Sequence, residues 1–542
     1  MKGNKLGKNM YKDDILYNWE INKISRYITI KSTMESLDIL SDSIDEIENP
    51  EYIDESKNIC YYKYNDEITL EDYIKGKKLE AKTIDLIMIK LFKIFLFIEN
   101  RNLIISAVSL SDFWITSNDI NNIRYRVRRR LIKNNTIPDN YNYEGEIVAP
   151  EINSKLLSEI KESANVYLLG KLFQKLIFSG EKMIETDKEI YYSYFLNMFR
   201  PDISYEYHEF LIKNTNILSE NRQATVQEAF RAFYEIVKRN IIKEENNKVE
   251  FIAKTDVGRT KFKIAIEKAS LTKTTRKNEH IDENEYNEDV FYCNCINEKY
   301  IFAVADGVST ASYGSGKLAS NIIKNNIESL WNEVNKHIQN EEDVEEFIRE
   351  IIIVSNRDIN EAAKLDNAEV NDEIGDVMAS TLVIAIIING IMYYTSIGDS
   401  KIFVYNNKIG MNLINYEDNI GNYNLLKGQS WNTFNNADEN KVLANYIGGG
   451  KVVNKDIVSR KIKIEVRKKS IFQGDIILLS SDGLTDYISP IYSNTIYNQT
   501  LTLSKLFKEN YNSIEKLGQE LIVTANNNGG GDNITLILAK VN

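Results

Sequence analysis

Apolar residues recur along this chain in two rhythms, and the change from one to the other divides it. After short alternating segments in residues 22–75, of which Arg26–Lys31 and Asn58–Tyr64 are the clearest strands, the first half turns helical. Thr83–Glu99 places Ile84, Ile87, Met88, Leu91, Phe95 and Ile98 at three- and four-residue spacing, which predicts a helix with one buried face. Asn165–Phe178 repeats the pattern before a capping Gly180, and Thr225 opens a further helix with Gln227 and Glu228 in its first turn. From Asp289 the rhythm shortens and strands arrive in pairs. VFYCNCI and YIFAVAD flank Asn297-Glu298-Lys299, and TLVIAIII and IMYYTSIGD flank Asn389-Gly390, a strong hairpin signal. Two long amphipathic helices, about 315–335 and 342–364, stand between these hairpins. Continuous Val/Ile runs call for strands covered on both faces, hence a helix–sheet–sheet–helix sandwich.

Between the halves, residues 241–257 are polar and charge-mixed and read as a joint. The expected organisation is therefore an α/β multidomain chain: residues 1–243, a linker at 244–257, and residues 258–542. A length of 542 residues fits, being too long for one core.

Composition narrows the function classes. At 43% hydrophobic and 27% charged the chain is globular rather than disordered. A net charge of −12 argues against general nucleic-acid binding, and the run Arg124–Arg130 (RYRVRRR) reads as a solvated or carboxylate-paired face. Three cysteines, Cys60, Cys293 and Cys295, supply neither a disulfide framework nor a zinc set. The start of the sequence lacks the apolar core of a signal peptide, and Lys90 and Lys93 interrupt the longest apolar stretch. A cytoplasmic protein with no membrane contact is expected.

Candidate chemistry lies in four acids at strand ends: Asp306 in IFAVADGVST, Asp399 in MYYTSIGDS, Asp482 in DIILLSSDG and Asp532 in NGGGDNITLIL. Each alone is an ordinary turn residue. Together they are what a sheet needs to assemble a hard-cation site, with oxygen ligands suited to Mg²⁺ or Mn²⁺.

These stretches, with Asn287-Glu288-Asp289, FAVADGVSTASYGSGKLAS (302–320), ASTLVIAIIINGIMYYTSIGDSKIFVY (379–405) and GDIILLSSDGLTDYIS (474–489), resemble the metal-dependent type 2C (PPM) protein phosphatases over nearly all of 253–542. The phrase ADGVSTA is closest to the bacterial branch. The resemblance implies an α-β-β-α sandwich with catalytic Asp306 and Asp482. It also implies two Mn²⁺ or Mg²⁺ ions joined by the Asp306 carboxylate and the Gly307 carbonyl. Asp482 and Asp532 would hold the first ion, Glu288 or Asp289 the second, and Asp399 a third. Thr381 and Asp486 would support the site. The implied reaction is hydrolysis of phosphoserine and phosphothreonine in proteins by a metal-activated water. Two positions depart from the family: Val308 stands where many relatives have His, and Asn284 where a substrate-phosphate arginine is expected. Arg276, Lys277, His280 and Lys273 are the alternatives to that arginine. Residues 421–455 correspond to a mobile flap hinged at Gly448–Gly450.

The first half resembles a two-lobe protein kinase from about Ile21 to Val237. YITIK ends at Lys31, VAPE (148–151) matches the end of an activation segment, NVYLLGKLFQKLIFSG (165–180) a core helix that begins with Asn165 instead of Asp, and LSENRQATVQEAF the closing segment with Arg222. Ala107 falls at the catalytic aspartate and Asp112 at a metal-binding asparagine, while Asp-Phe-Gly and the glycine-rich loop are absent. The resemblance therefore implies a pseudokinase that recognises or regulates, with a separately encoded kinase as partner. The competing reading is a non-enzymatic scaffold that binds phosphoproteins or nucleotides through both halves.

Overall fold

In the computed structural model the chain separates into two compact units, residues 1–183 with 188–240, and residues 184–187 with 241–542. The structure describes residues 46–48, 67–116, 119–126, 146–153, 160–180, 196–240, 248–261, 287–308, 313–365, 377–427, 442–453, 456–490 and 495–542. It also describes the strand segments 7–8, 19–22, 27–31, 52–54, 59–63 and 131–132.

The first unit opens with an antiparallel sheet of β1 (Gly7–Lys8), β2 (Trp19–Asn22), β3 (Tyr27–Lys31), β4 (Tyr52–Asp54) and β5 (Ile59–Lys63), in the order β1-β2-β3-β5-β4. Helices follow, α1 (Ala81–Glu99), α2 (Ser163–Ile177), α3 (Tyr207–Asn214) and α4 (Val226–Arg239), all but α3 at places the rhythm predicts. Thr225 caps α4 by accepting a bond from the Glu228 amide at 3.1 Å. The helices meet through rings: Phe173 lies edge-on to Tyr207 with centroids 4.9 Å apart, and Tyr207 stacks on Phe233 at 5.6 Å.

Among the described residues of this unit three arginine side chains are fully buried, Arg126, Arg200 and Arg222, and each is paired, as burial of a charge requires. Arg222 makes a bidentate pair with Glu151, at 2.7 and 3.0 Å. Arg126, from the basic run, bonds Glu48 at 2.6 Å and Glu67 at 2.5 Å beneath the rings of Trp114 and Tyr62. That part of the run is carboxylate-paired; Val127–Arg130 lie outside the described residues. Asn165 accepts from the Ile105 amide at 2.9 Å and donates to the Leu103 carbonyl at 3.0 Å. Asp112 is buried, and its carboxylate accepts from the Ser109 amide at 2.8 Å to close a capping box.

The second unit is two antiparallel five-stranded sheets packed face to face between helices. One has the order β6 (Val249–Asp256), β15 (Ile534–Val541), β14 (Ile476–Ser480), β11 (Lys401–Asn406), β12 (Gly410–Leu413). The other runs β7 (Val290–Ile296), β8 (Lys299–Ala305), β9 (Leu382–Ile388), β10 (Ile391–Ile397), β13 (Arg467–Ser470). Helices α5 (Gly316–Val334) and α6 (Glu341–Leu365) cover the second sheet, where Ile323, Ile327, Trp331, Ile348 and Ile352 pack on Ile301, Ile384 and Ile386. Helices α9 (Ile496–Asn510) and α10 (Ile514–Asn527) cover the first sheet. Between β14 and α9 lies the short helix α8 (Asp482–Tyr487), and after β12 the short helix α7 (Ile420–Leu426).

The expected linker at 244–257 needs correcting. Its residues 249–256 are β6, paired rung for rung with β15 from Val249↔Val541 to Asp256↔Ile534. As an edge strand β6 is only half-buried, which is why its sequence is polar enough to pass for a joint. Residues 241–247 lie outside the described residues. Among the described residues, no helix is long and apolar enough to cross a membrane.

Asp85 on α1 accepts a 2.5 Å bond from Tyr207, and burial lifts its carboxyl from the usual 3.8 to about 6. The folded unit therefore holds that proton more tightly than the unfolded chain, so stability is greatest below pH 3.8 and falls as pH rises through 6. Asp85→Asn should flatten this slope and stabilise the first unit at pH 7 by roughly 1–2 kcal/mol, a part-screened share of the linkage. Denaturant unfolding of the full chain at pH 4.5 and pH 7 is the measurement.

Candidate active site

The strand ends of both sheets deliver acids to one edge of the sandwich. Asp306 follows β8, Asp289 precedes β7, Asp482 begins α8 just after β14, and Asp532 stands two residues before β15. The Asp306 carboxyl makes carboxyl–carboxyl hydrogen bonds with Asp289 and with Asp482. Asp306, Asp399 and Asp482 keep some contact with solvent, yet protein surrounds them densely enough to penalise their charged forms. Burial, followed by repulsion from Asp289, Asp482 and Asp399, drives Asp306 far above the usual carboxylate range. Burial, followed by Asp399, Asp486 and Asp532, does the same to Asp482.

Hydroxyls and amides hold these acids in place. Ser481 donates to Asp289 at 2.7 Å and accepts from the Thr535 amide at 3.0 Å, tying β7, β14 and β15 together. Thr381 accepts from the Asp306 amide at 3.2 Å and bonds Ser400 at 2.9 Å. Gly307 lies against Gly316, where an added Cβ would collide with the helix backbone, so only glycine lets α5 start this close to Asp306.

The other expected residues are distributed unevenly. Asp399 faces Glu417, Lys401 and Asp486, the last of them exposed. Glu288 differs from its neighbour: its carboxylate lies 3.6 Å from Lys261, while Asp289 points into the cluster. Lys273, Arg276, Lys277, His280 and Asn284 lie outside the described residues. Gly448–Gly450 are pinned rather than free to hinge. The Gly448 amide donates to Asn356 at 2.9 Å, Gly450 to Asn360 at 2.9 Å and Gly449 to the Met378 carbonyl at 2.9 Å. Residues 428–441 of the expected flap lie outside the described residues.

Sequence reasoning missed Lys261, Lys401 and Glu417. Lys261 bonds Asp532 at 2.7 Å and Asn533 at 2.8 Å. Lys401 bonds Glu417 at 2.9 Å and Thr485 at 3.0 Å. The only signal for Lys261 was its place just after TDVGR at the end of β6.

Whether a cation suits this donor set can be judged from the acids themselves. Asp289 and Asp482 each bury one carboxylate oxygen with no hydrogen-bond partner, an arrangement that costs free energy unless a positive charge answers it. Among the described residues no three such side chains are drawn into a finished coordination shell, and the acids pair with each other and with Lys261 instead. The chemistry of the set, all oxygen and strongly anionic, fits a divalent cation.

Residues 276–522 match the family described as protein phosphatase 2C. Solved structures similar to this chain include the serine/threonine phosphatase of S. agalactiae, at 20% identity and TM-score 0.41, covering 54% of this chain and 100% of that one. Stp1 from Staphylococcus aureus is 20% identical at TM-score 0.40, covering 56% and 98%. The catalytic domain of the phosphatase PstP, in complex with two manganese ions, is 18% identical at TM-score 0.38, covering 55% and 99%. No curated protein matches the chain.

Replacing Ser481 by Ala would strand both the Asp289 carboxylate and the buried Thr535 amide. The variant should lose about 1–3 kcal/mol of stability in denaturant unfolding of the metal-free chain.

Proposed function

We propose that the second unit hydrolyses phosphoserine and phosphothreonine monoesters on proteins, using Mn²⁺ or Mg²⁺ held by Asp289, Asp306, Asp482 and Asp532 with the Gly307 carbonyl. The observation that carries this reading is the packing of Asp289, Asp306 and Asp482 against one another with two buried carboxylate oxygens unanswered. Of the two acids left open by the sequence, Asp289 is favoured by its orphaned oxygen, whereas Glu288 is engaged by Lys261. Asp399, flanked by Glu417 and Asp486, is the ligand for a third ion. Bound divalent cations supply charge neutralisation at phosphorus and an activated water. Within the chain, Asp306 and Asp482 orient those charges, and Ser481 and Thr381 fix the acids. Val308 offers no proton, so the leaving oxygen is protonated from solvent.

The first half, residues 1–243, is read as a kinase-like domain without phosphoryl transfer. The buried Arg222–Glu151 pair joins the two segments that carry the resemblance, and Asn165 supports the loop before Ala107 through its backbone. Ala107 is buried and apolar, so no base stands there, and Asp112 spends a carboxylate oxygen on a cap. This unit selects or gates a phosphoprotein that a separate kinase produces. Nucleic acid and membrane are not partners, and the site of action is the cytoplasm. A scaffold without turnover remains the second reading, favoured by Val308.

Two measurements test this. The full chain should release phosphate from an aryl phosphate only with Mn²⁺ or Mg²⁺. Asp306→Asn or Asp482→Asn should cut the rate about 10²–10³-fold, the loss expected when several kcal/mol of charge stabilisation go. Absence of metal-dependent turnover would leave the scaffold reading standing. Incubating the Asp306→Asn chain with labelled ATP and Mg²⁺ should leave it and generic substrates unlabelled; robust labelling would refute the pseudokinase reading.

A further inference from the structure

Two lysine ammonium groups stand against the acidic cluster, and they are built differently. Lys401 begins β11 in register with Ser480, with a side chain 3% exposed, and it bridges Glu417 and Thr485. Withdrawing it would strand Glu417 and drag a charge through packed protein. Lys261 reaches in from the residues after β6, with a side chain 25% exposed. Its bonds to Asp532 at 2.7 Å and Asn533 at 2.8 Å, with Glu288 at 3.6 Å, lie on the open side of the site, where the Asp532 side chain is 44% exposed. Lys261 can therefore retreat into water with little loss.

Asp532 is the acid shared between Lys261 and the proposed cation. One ammonium and a divalent ion against the same carboxylate repel each other, and the ion brings twice the charge. The geometry points to Lys261 as a tethered internal cation that neutralises Asp532 and Glu288 in the metal-free chain and is expelled when a divalent ion binds. Lys401 is the permanent counterion on the opposite flank. The site then remains charge-balanced at low metal without collapsing, and the pair sets the threshold at which metal enters. This inference rests on the metal-dependent reading given above.

The test uses the full chain with Mn²⁺ as the probe. Acetic anhydride footprinting read by mass spectrometry should show Lys261 labelling rise severalfold on Mn²⁺ saturation, while Lys401 stays protected. Mn²⁺ affinity measured by electron paramagnetic resonance should be about 3–10-fold tighter in Lys261→Met, the worth of a part-exposed ion pair, and near wild type in Lys261→Arg. Unchanged Lys261 labelling at saturation, or unchanged or weaker affinity in Lys261→Met, overturns the inference. Should wild type and Asp482→Asn take up Mn²⁺ equally poorly, the metal reading itself falls and this one with it. Should wild type bind Mn²⁺ while Lys261 stays protected, only the tethered cation falls.

Discussion

The second unit is organised around an electrostatic difficulty: carboxylates that repel one another are held together at the edge of a sandwich. Asp306 is in direct contact with Asp289 and Asp482, and neither of those is free to swing away. Asp289 is tied by Ser481, and Asp482 starts a helix wedged against Asn533 by the close approach of Gly483. Such crowding is stable only because protons and ammonium groups share the charge. It is also what makes the edge chemically useful, since a preformed concentration of negative charge needs little reorganisation to accept a hard cation.

The scaffold meets this difficulty with apolar bulk placed away from it. The interiors of β8, β9 and β14 are apolar, built from Ile, Val and Leu with Phe302, Ala303 and Ala385, and the polar residues appear where the strands end. Near the site, side-chain-to-backbone bonds add to that apolar packing. Asn356 and Asn360, one turn apart on α6, hold the glycine-loop amides of Gly448 and Gly450, and Asn445 holds both Asp418 and the Lys463 backbone. The segment expected to flex is thus fastened at its base to a long helix.

What was legible in the sequence was what is local. Strand pairs separated by two-residue turns, helix faces at three- and four-residue spacing, and acids adjoining apolar runs all sit within a dozen residues of their signal. Asp306, Asp482 and Asp532 could be named for that reason. Illegible features depend on partners far along the chain. β6 read as linker because its partner is the last strand, and an edge strand carries only half of the apolar pattern. Lys261 went unnoticed because the stretch from 262 to 286 separates it from Glu288, so no short motif contains both. Asn356 and Asn360 look like ordinary polar positions on an amphipathic helix, and only the fold shows them bonded to Gly448 and Gly450.

The pairing of β6 with β15 has a consequence for how the chain is made. The first strand of the second unit cannot find its neighbour until nearly the whole unit has been synthesised, a wait on the order of tens of seconds. During that interval β14 also lacks the strand that lies between it and β6. Asp532, which directly precedes the late strand, arrives last among the acids. A nascent chain therefore holds a sheet with an open gap and an incomplete acidic cluster, exposed to mispairing. One late strand thus closes the sheet and completes the charge cluster together.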